Sequence, residues 1–164
     1  LGGDSLEAAA NALVDAVNAM QDYFLDVSML PAGGQDVPQN TWVTLNLDTE
    51  AADTGGNFNT TTHIYTVPAT GRYFAQALVR VLDNDWTVAG GGNLGVGIHT
   101  SNIDGAWFQW NKIMPLNTGG GRYSAAYSRL ASWTAADQLR LYVWHESGSD
   151  REIYSAAMQI WRVS

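Results

Sequence analysis

The chain of 164 residues contains no cysteine. That excludes disulfides and every thiolate site, nucleophilic or metal-binding, and leaves the redox compartment open. Lysine occurs once, at Lys112, and acidic residues outnumber basic ones 16 to 8. A surface that follows a phosphate backbone needs clustered cations, so the composition argues against a nucleic-acid partner. The net charge of −8 favours solubility and points to no partner of its own. Charged residues make up only 15% against 46% hydrophobic, which predicts a globular domain with much uncharged surface. No apolar run reaches the length of a membrane span, so membrane insertion is not expected. No signal peptide is visible, and Leu1 is not an initiator methionine, which leaves open whether an N-terminal segment is missing.

What is present begins with a helical pattern. Asp4 fits a helix N-cap, with Glu7 three residues on in capping-box position. Leu6, Ala10, Leu13, Val17, Met20, Phe24 and Val27 then recur at spacings of four and three, a seam of about three heptads. Asn11, Asp15, Asn18, Asp22 and Asp26 fall away from it, while Ala9, Val14, Ala16 and Tyr23 broaden the apolar stripe. A broad stripe with few flanking charges suits three or more strands better than two. The simpler alternative is an amphipathic helix lying on its own domain, since a helix this short needs something to pack on. The pattern predicts a coiled-coil stalk over residues 4–30, ended by Pro31. A linker over 31–39 follows, from the Pro, Ala and Gly of Pro31 to Pro38.

From residue 40 onward the pattern is that of strands. Trp42 to Asp48 alternates, with Val43, Leu45 and Leu47 on one face, and Thr49 to Phe58 reads as a polar loop containing glycine. Further strands are predicted at His63–Val67, Tyr73–Leu82, Leu94–His99, Trp107–Met114, Tyr123–Trp133, Leu139–Val143 and Ile153–Val163, separated by Gly, Asp and Pro. Tyr73 to Leu82 is apolar at nearly every position, the pattern of a strand covered on both faces. About eight such strands indicate an all-β sandwich or jelly roll, residues 40–164 forming the head. Because its core runs from Val43 to Val163, a chain beginning near Gln35 is expected to fold without the stalk.

Tyr65-Thr66-Val67-Pro68-Ala69-Thr70-Gly71-Arg72-Tyr73-Phe74 marks a corner between two strands. Pro68 cannot donate to a ladder, and Thr70-Gly71 is expected to turn through a glycine at positive φ. An aromatic, Val-Pro, two residues, Gly, one residue and Tyr resembles the globular heads of the complement first component, relatives of the tumour-necrosis-factor jelly roll. Leu130 to Val143, with its corner at Asp137, and Glu146-Ser147-Gly148 followed by Ile153-Tyr154-Ser155-Ala156 follow the same family order. The resemblance implies a homotrimer with Tyr73, Tyr127 and Tyr154 near the threefold axis. Ala75 and Ala77 depart from the family's aromatics, and Ser155-Ala156 from its usual glycine. The stalk, in place of a collagen-like repeat, resembles trimeric fibres and spikes of bacteriophage particles.

Sites for chemistry are sparse. Gly90-Gly91-Gly92-Asn93-Leu94-Gly95 matches G-x-G-x-x-G, but Val96 to His99 continues as strand where the dinucleotide motif needs a helix N-terminus. Asp83-Asn84-Asp85 fails as an EF-hand loop because Val88 stands at the sixth position. A calcium site of another kind with Asp48, Glu50 or Asp53 stays open beside the simpler reading of a solvated acidic loop, and no motif supports a cofactor. His63, His99 and His145 lack zinc-ligand spacing, and G-x-S-x-G is absent, so no catalytic residue is assigned. Asn59-Thr60-Thr61 is a glycosylation acceptor only in a eukaryotic secretory route. The surplus is aromatic, seven Trp and seven Tyr, which suits subunit interfaces or stacking on sugars.

Taken together, the residues and the resemblance lead to a non-enzymatic homotrimer on a virion surface: a head fibre, decoration or receptor-binding head, joined to other virion structural proteins through its stalk. The alternative is a secreted or cell-surface complement-like domain that recognises protein or glycan. Expected trimer contacts are Leu6, Leu13, Val17, Met20, Phe24, Val27, Tyr73, Tyr127 and Tyr154. A host glycan or protein is expected at the loop residues Asp83, Asp85, Trp86 and Trp107.

Overall fold

The computed structural model of the chain describes residues 3–21, 23–29, 34–83, 92–100, 109–113 and 121–163. One helix, α1 (Gly3–Gln21), precedes β1 (Phe24–Met29), β2 (Gln35–Val37), β3 (Val43–Thr44), β4 (Thr49–Asp53), β5 (Phe58–Asn59) and β6 (Ile64–Thr66). Then come β7 (Gly71–Asp83), β8 (Gly92–His99), β9 (Gln109–Ile113), β10 (Gly121–Trp133), β11 (Gln138–Glu146) and β12 (Arg151–Arg162). The first sheet runs β10-β7-β12-β1-β4, with β2 also on β12; the second runs β5-β6-β11-β8-β9, with β3 also on β11. All pairs are antiparallel. The two sheets close on one hydrophobic core, and the architecture is a jelly-roll sandwich, as the strand pattern predicts.

Period-two alternation decides what faces the core. On β7 the inward set is Tyr73, Ala75, Ala77, Val79 and Val81; on β12 it includes Ile153, Ala156, Met158 and Ile160. The second sheet meets them with Leu94, Val96 and Ile98 from β8 and Leu139, Leu141 and Val143 from β11. Each large side chain so removed from water contributes about 1.5–3 kcal/mol.

The helix is shorter than the heptad seam. It ends at Gln21, and Phe24–Met29 is a strand inserted between β12 and β4. Phe24 and Val27 satisfy a helical spacing, yet Leu25, Val27 and Met29 also alternate with Asp26 and Ser28. The sheet prevails because it buries that whole alternate set, with Leu25 and Val27 at 0% exposure, and gives the backbone partners on both sides. The expected linker is structured too. Gln35–Val37 pairs with Arg151–Ile153, and the Gln35 side chain donates to Thr44 O at 2.9 Å and accepts from Asn46 N at 2.8 Å. The expected polar loop at Thr49–Phe58 contains β4 and the start of β5. The core therefore begins at Leu25 rather than Val43, and a chain beginning at Gln35 lacks a central strand.

The corner at Pro68 is held differently from the expectation. Gly71 does not use positive φ; it opens β7 opposite Trp133. The turn is fastened to the neighbouring corner instead. Val67 N donates to Asp137 O at 2.8 Å, Ala136 N to Val67 O at 2.8 Å, and Ala135 N to Thr70 Oγ1 at 3.0 Å. The left-handed residue there is Ala136, at φ 72°.

Candidate assembly and recognition surfaces

The outward face of the first sheet carries cross-strand rows set by the ladder register. Leu130, Phe74, Trp161 and Phe24 form one row across β10, β7, β12 and β1. Phe74 and Trp161 stack at 4.7 Å between ring centres, and Leu130 is 46% exposed. The next row is Ser128, Gln76, Gln159 and Asp26. Gln76 Nε2 donates to Gln159 Oε1 at 2.5 Å, and Gln159 Nε2 donates to Asp26 Oδ2 at 3.0 Å. Ala126, Leu78, Ala157 and Ser28 follow. Gln76, Leu78, Ala126, Ser128, Ala157 and Gln159 line a concavity of about 540 Å³ on this face. Apolar side chains on the side away from the core are what made β7 read as covered on both faces. Apolar rows on either side of one polar row make this face a candidate docking surface.

Charge on the same sheet is divided. Arg72 and Arg80 are exposed on the outward side of β7, while Asp26 lies on the same side of β1. Such a division suits a head-to-tail contact, in which one side of a copy meets the opposite side of the next.

The helix presents a second uncovered stripe. Leu6, Leu13, Val14 and Val17 are 76%, 66%, 56% and 45% exposed, and the helix meets the sandwich mainly at β12. Met20 lies on the same helix. Of the other expected trimer contacts, Phe24 sits in the outer aromatic row and Tyr154 is half-buried at a bulge between Ile153 and Ser155.

Val27, Tyr73 and Tyr127 belong elsewhere. They share the parity of the core set and point between the sheets. Tyr73 is fully buried, donates its hydroxyl to Ala69 O at 2.6 Å and packs on Trp133 at 5.8 Å. Burial pushes its phenol pKa above the ordinary value, and does the same for Tyr65 and Tyr127. Of the residues that do line the outer face, Gln76 and Leu78 were signalled only by their parity with Phe74, and Gln159 and Trp161 join them through the register of β12 on β7.

Among the expected ligand residues, Asp83 ends β7, whereas Asp85, Trp86 and Trp107 lie outside the described residues. No cluster of three His, Asp or Glu able to hold a metal occurs among the described residues. Asp53 is engaged locally, accepting from Gly55 N at 3.3 Å and Phe58 N at 2.7 Å. Asp48 Oδ1 accepts from Thr49 Oγ1 at 3.1 Å.

His145 and Ser147 form a buried pair that could be mistaken for catalytic machinery. His145 Nε2 lies 2.8 Å from Val37 O and therefore carries the donated proton, leaving Nδ1 as an acceptor 3.0 Å from Ser147 Oγ, whose hydroxyl also lies 3.0 Å from Ser149 O. Arg151 Nε donates to the same Oγ at 3.0 Å, and Ser147 is 2% exposed. A serine with a cation's N–H on its oxygen and no open approach is a poor nucleophile. What the pair does is tie β2 to the turn between β11 and β12. Burial holds the His145 pKa below its ordinary value, against the opposing hydrogen bond to Val37 O.

The outward face of the second sheet is aromatic in one region. Trp42 and Trp144 are half-buried, 6.2 Å apart between ring centres and tilted by 37°. Trp144 stands opposite Gly95 and Tyr142 opposite Gly97 on β8. Beside them Asn93 Nδ2 donates to Glu146 Oε1 at 2.6 Å.

No family model matches the sequence, and no curated protein matches it. Solved structures do share the fold. The globular domain of zebrafish complement 1qA has TM-score 0.57 at 9% identity, over 87% of this chain and 98% of that one. The vertex protein P5 of PRD1 has TM-score 0.59 at 15% identity, over 87% and 98%. The Eiger tumour-necrosis-factor protein of S. frugiperda has TM-score 0.57 at 13% identity, over 87% and 94%. At such identities the likeness establishes the jelly-roll fold and nothing finer.

Proposed function

We propose that the chain is the head of a homotrimeric, non-enzymatic protein on a virion surface. Its three copies meet through the outward face of the β10-β7-β12-β1 sheet, and its N-terminal helices form a short stalk that joins the head to another structural protein of the particle. The observation that carries this reading is the uncovered aromatic and aliphatic face of that sheet, crossed by one ordered Gln76–Gln159–Asp26 row. Apolar rows supply area, and a single polar row fixes how copies are placed, as buried polar residues do in coiled coils. The separation of Arg72 and Arg80 on β7 from Asp26 on β1 favours a closed ring of copies over a face-to-face pair. The exposed stripe Leu6, Leu13, Val17 adds a second contact along the same assembly. The phage setting is supported by the fold shared with a phage vertex protein and by a helix that leads into the head.

The test is labelling of intact particles from the source with antibody raised against residues 23–164. Surface labelling at defined positions is expected. Labelling of disrupted particles alone, or of none, would contradict the virion-surface role while leaving the assembly to be measured separately.

A further inference from the structure

Residues 6–15 of α1 are exposed at every position, as is Val17. In the assembly proposed above, the other two stalk helices cover the seam of Leu6, Leu13 and Val17. A second face remains. Glu7, Asn11, Val14 and Asp15 stand at i, i+4, i+7 and i+8, which places them together along one side of the helix, beyond the seam. All four are exposed, Val14 at 56%. Asp4, Glu7 and Asp15 are the only charged residues between Gly3 and Gln21, so the helix holds three acids and no base. Its last turn, where the helix dipole is negative, has no basic residue either. Three such helices side by side triple that charge and neutralise none of it.

An exposed valine with a carboxylate beside it and another two turns away is complementary to a segment that presents an aliphatic side chain between cations. A further copy of this chain, docked through the same face, would set Glu7 and Asp15 against their like. An anionic lipid surface or a nucleic acid would be repelled in the same way. We infer, on the strength of the stalk proposed above, that the face of Glu7, Asn11, Val14 and Asp15 docks a basic amphipathic segment of another structural protein of the particle. Its lysine or arginine side chains flank an aliphatic contact on Val14. Charge then selects the partner and its register, and the apolar contact supplies area that water leaves.

Particles from the source are washed in NaCl from about 0.1 M to about 1 M, and the released chain is measured. The depleted particles then serve as the probe, offered the purified full chain at about 0.15 M NaCl. Release that rises with salt is expected, followed by rebinding of the wild type. The double variant Glu7→Gln, Asp15→Asn should rebind at least about tenfold more weakly and lose most of the salt dependence, and Val14→Ala should lose a smaller factor. Glu7→Asp keeps the charge and should rebind almost as the wild type does. Glutamine serves the capping position as glutamate does, so circular dichroism should show unchanged helix and light scattering an unchanged mass. A double variant that rebinds like the wild type, a Glu7→Asp variant that fails with it, or release that salt leaves unchanged would overturn the proposal. So would a wild type that pairs through this face into a double trimer. Particles that carry none of the chain contradict the virion-surface reading and the docking with it. Attachment that is indifferent to salt contradicts the basic partner alone.

Discussion

Gln159 donates its side-chain amide to the Asp26 carboxylate at 3.0 Å, from β12 to β1, on the side of the first sheet that faces away from the core. Nothing in the fold of a single copy requires this bond, since both side chains could be hydrated. In an assembly that covers the face, the carboxylate loses its water and depends on Gln159. Gln159→Leu should therefore weaken association by about 1.5–3 kcal/mol, the range for a hydrogen bond to a charged group, while single-copy stability changes little. Sedimentation equilibrium on wild type and variant measures the shift. Unchanged association would show that Asp26 stays in water.

Removing β1 should unfold the head. Leu25 lies opposite Ile160 and Val27 opposite Met158, and all four are fully buried. Each inward β1 side chain contributes about 1.5–3 kcal/mol, against a total stability of about 5–15 kcal/mol for a domain of this kind. A chain beginning at Gln35 also leaves the edges of β12 and β4 unpaired. Circular dichroism should show native β structure for residues 23–164 and its loss for residues 35–164. A folded shorter chain would mean that β1 is dispensable.

That reversal shows where the sequence was legible. The strands β7 and β11 announced themselves, β7 by a nearly unbroken apolar run from Tyr73 to Leu82 and β11 by the alternation of Leu139, Leu141 and Val143 with Arg140, Tyr142 and Trp144. Phe24–Met29 did not, since six residues starting with Phe24 and Val27 fit both periods, and the choice was made by pairing with residues 156–161, more than a hundred positions away. The same limit applied to Tyr73 and Tyr127. Their chemistry suits an interface, but their parity with Ala75, Ala77 and Val79 turns them inward. The outer row Phe74, Gln76, Leu78 could have been read from that parity, whereas the register placing Gln159 and Asp26 beside Gln76 could not.

Tyr73 should behave as a core residue. Tyr73→Phe removes the hydroxyl that donates to Ala69 O at 2.6 Å and should cost about 1–2 kcal/mol, with no change of mass. Tyr73→Ala also empties the contact with Trp133 and should cost about 3–5 kcal/mol. Urea unfolding measures both. A variant that dissociates while keeping single-copy stability would return Tyr73 to the axis.

Acid should loosen the β2 clasp. His145 has its pKa lowered from 6.5 in the folded chain, chiefly by burial, so the unfolded chain binds the proton more readily. The contribution is fully present above pH 6.5 and is lost as pH falls below it, toward the folded-state pKa. Denaturation midpoints between pH 8 and pH 5 should drop more steeply for wild type than for His145→Gln. Parallel profiles would show that His145 titrates alike in both states.

The assembly itself is tested most directly by mass. Multi-angle light scattering at micromolar concentration should give about 53 kDa, three chains of 17.7 kDa, for the wild type. It should give the single-chain mass for Leu78→Arg, which puts a cation in the concavity beside Ala126 and Ala157 and leaves the core side of β7 untouched. A wild type of 17.7 kDa, or a Leu78→Arg variant that keeps the trimer mass, would contradict the claim that this sheet face joins three copies.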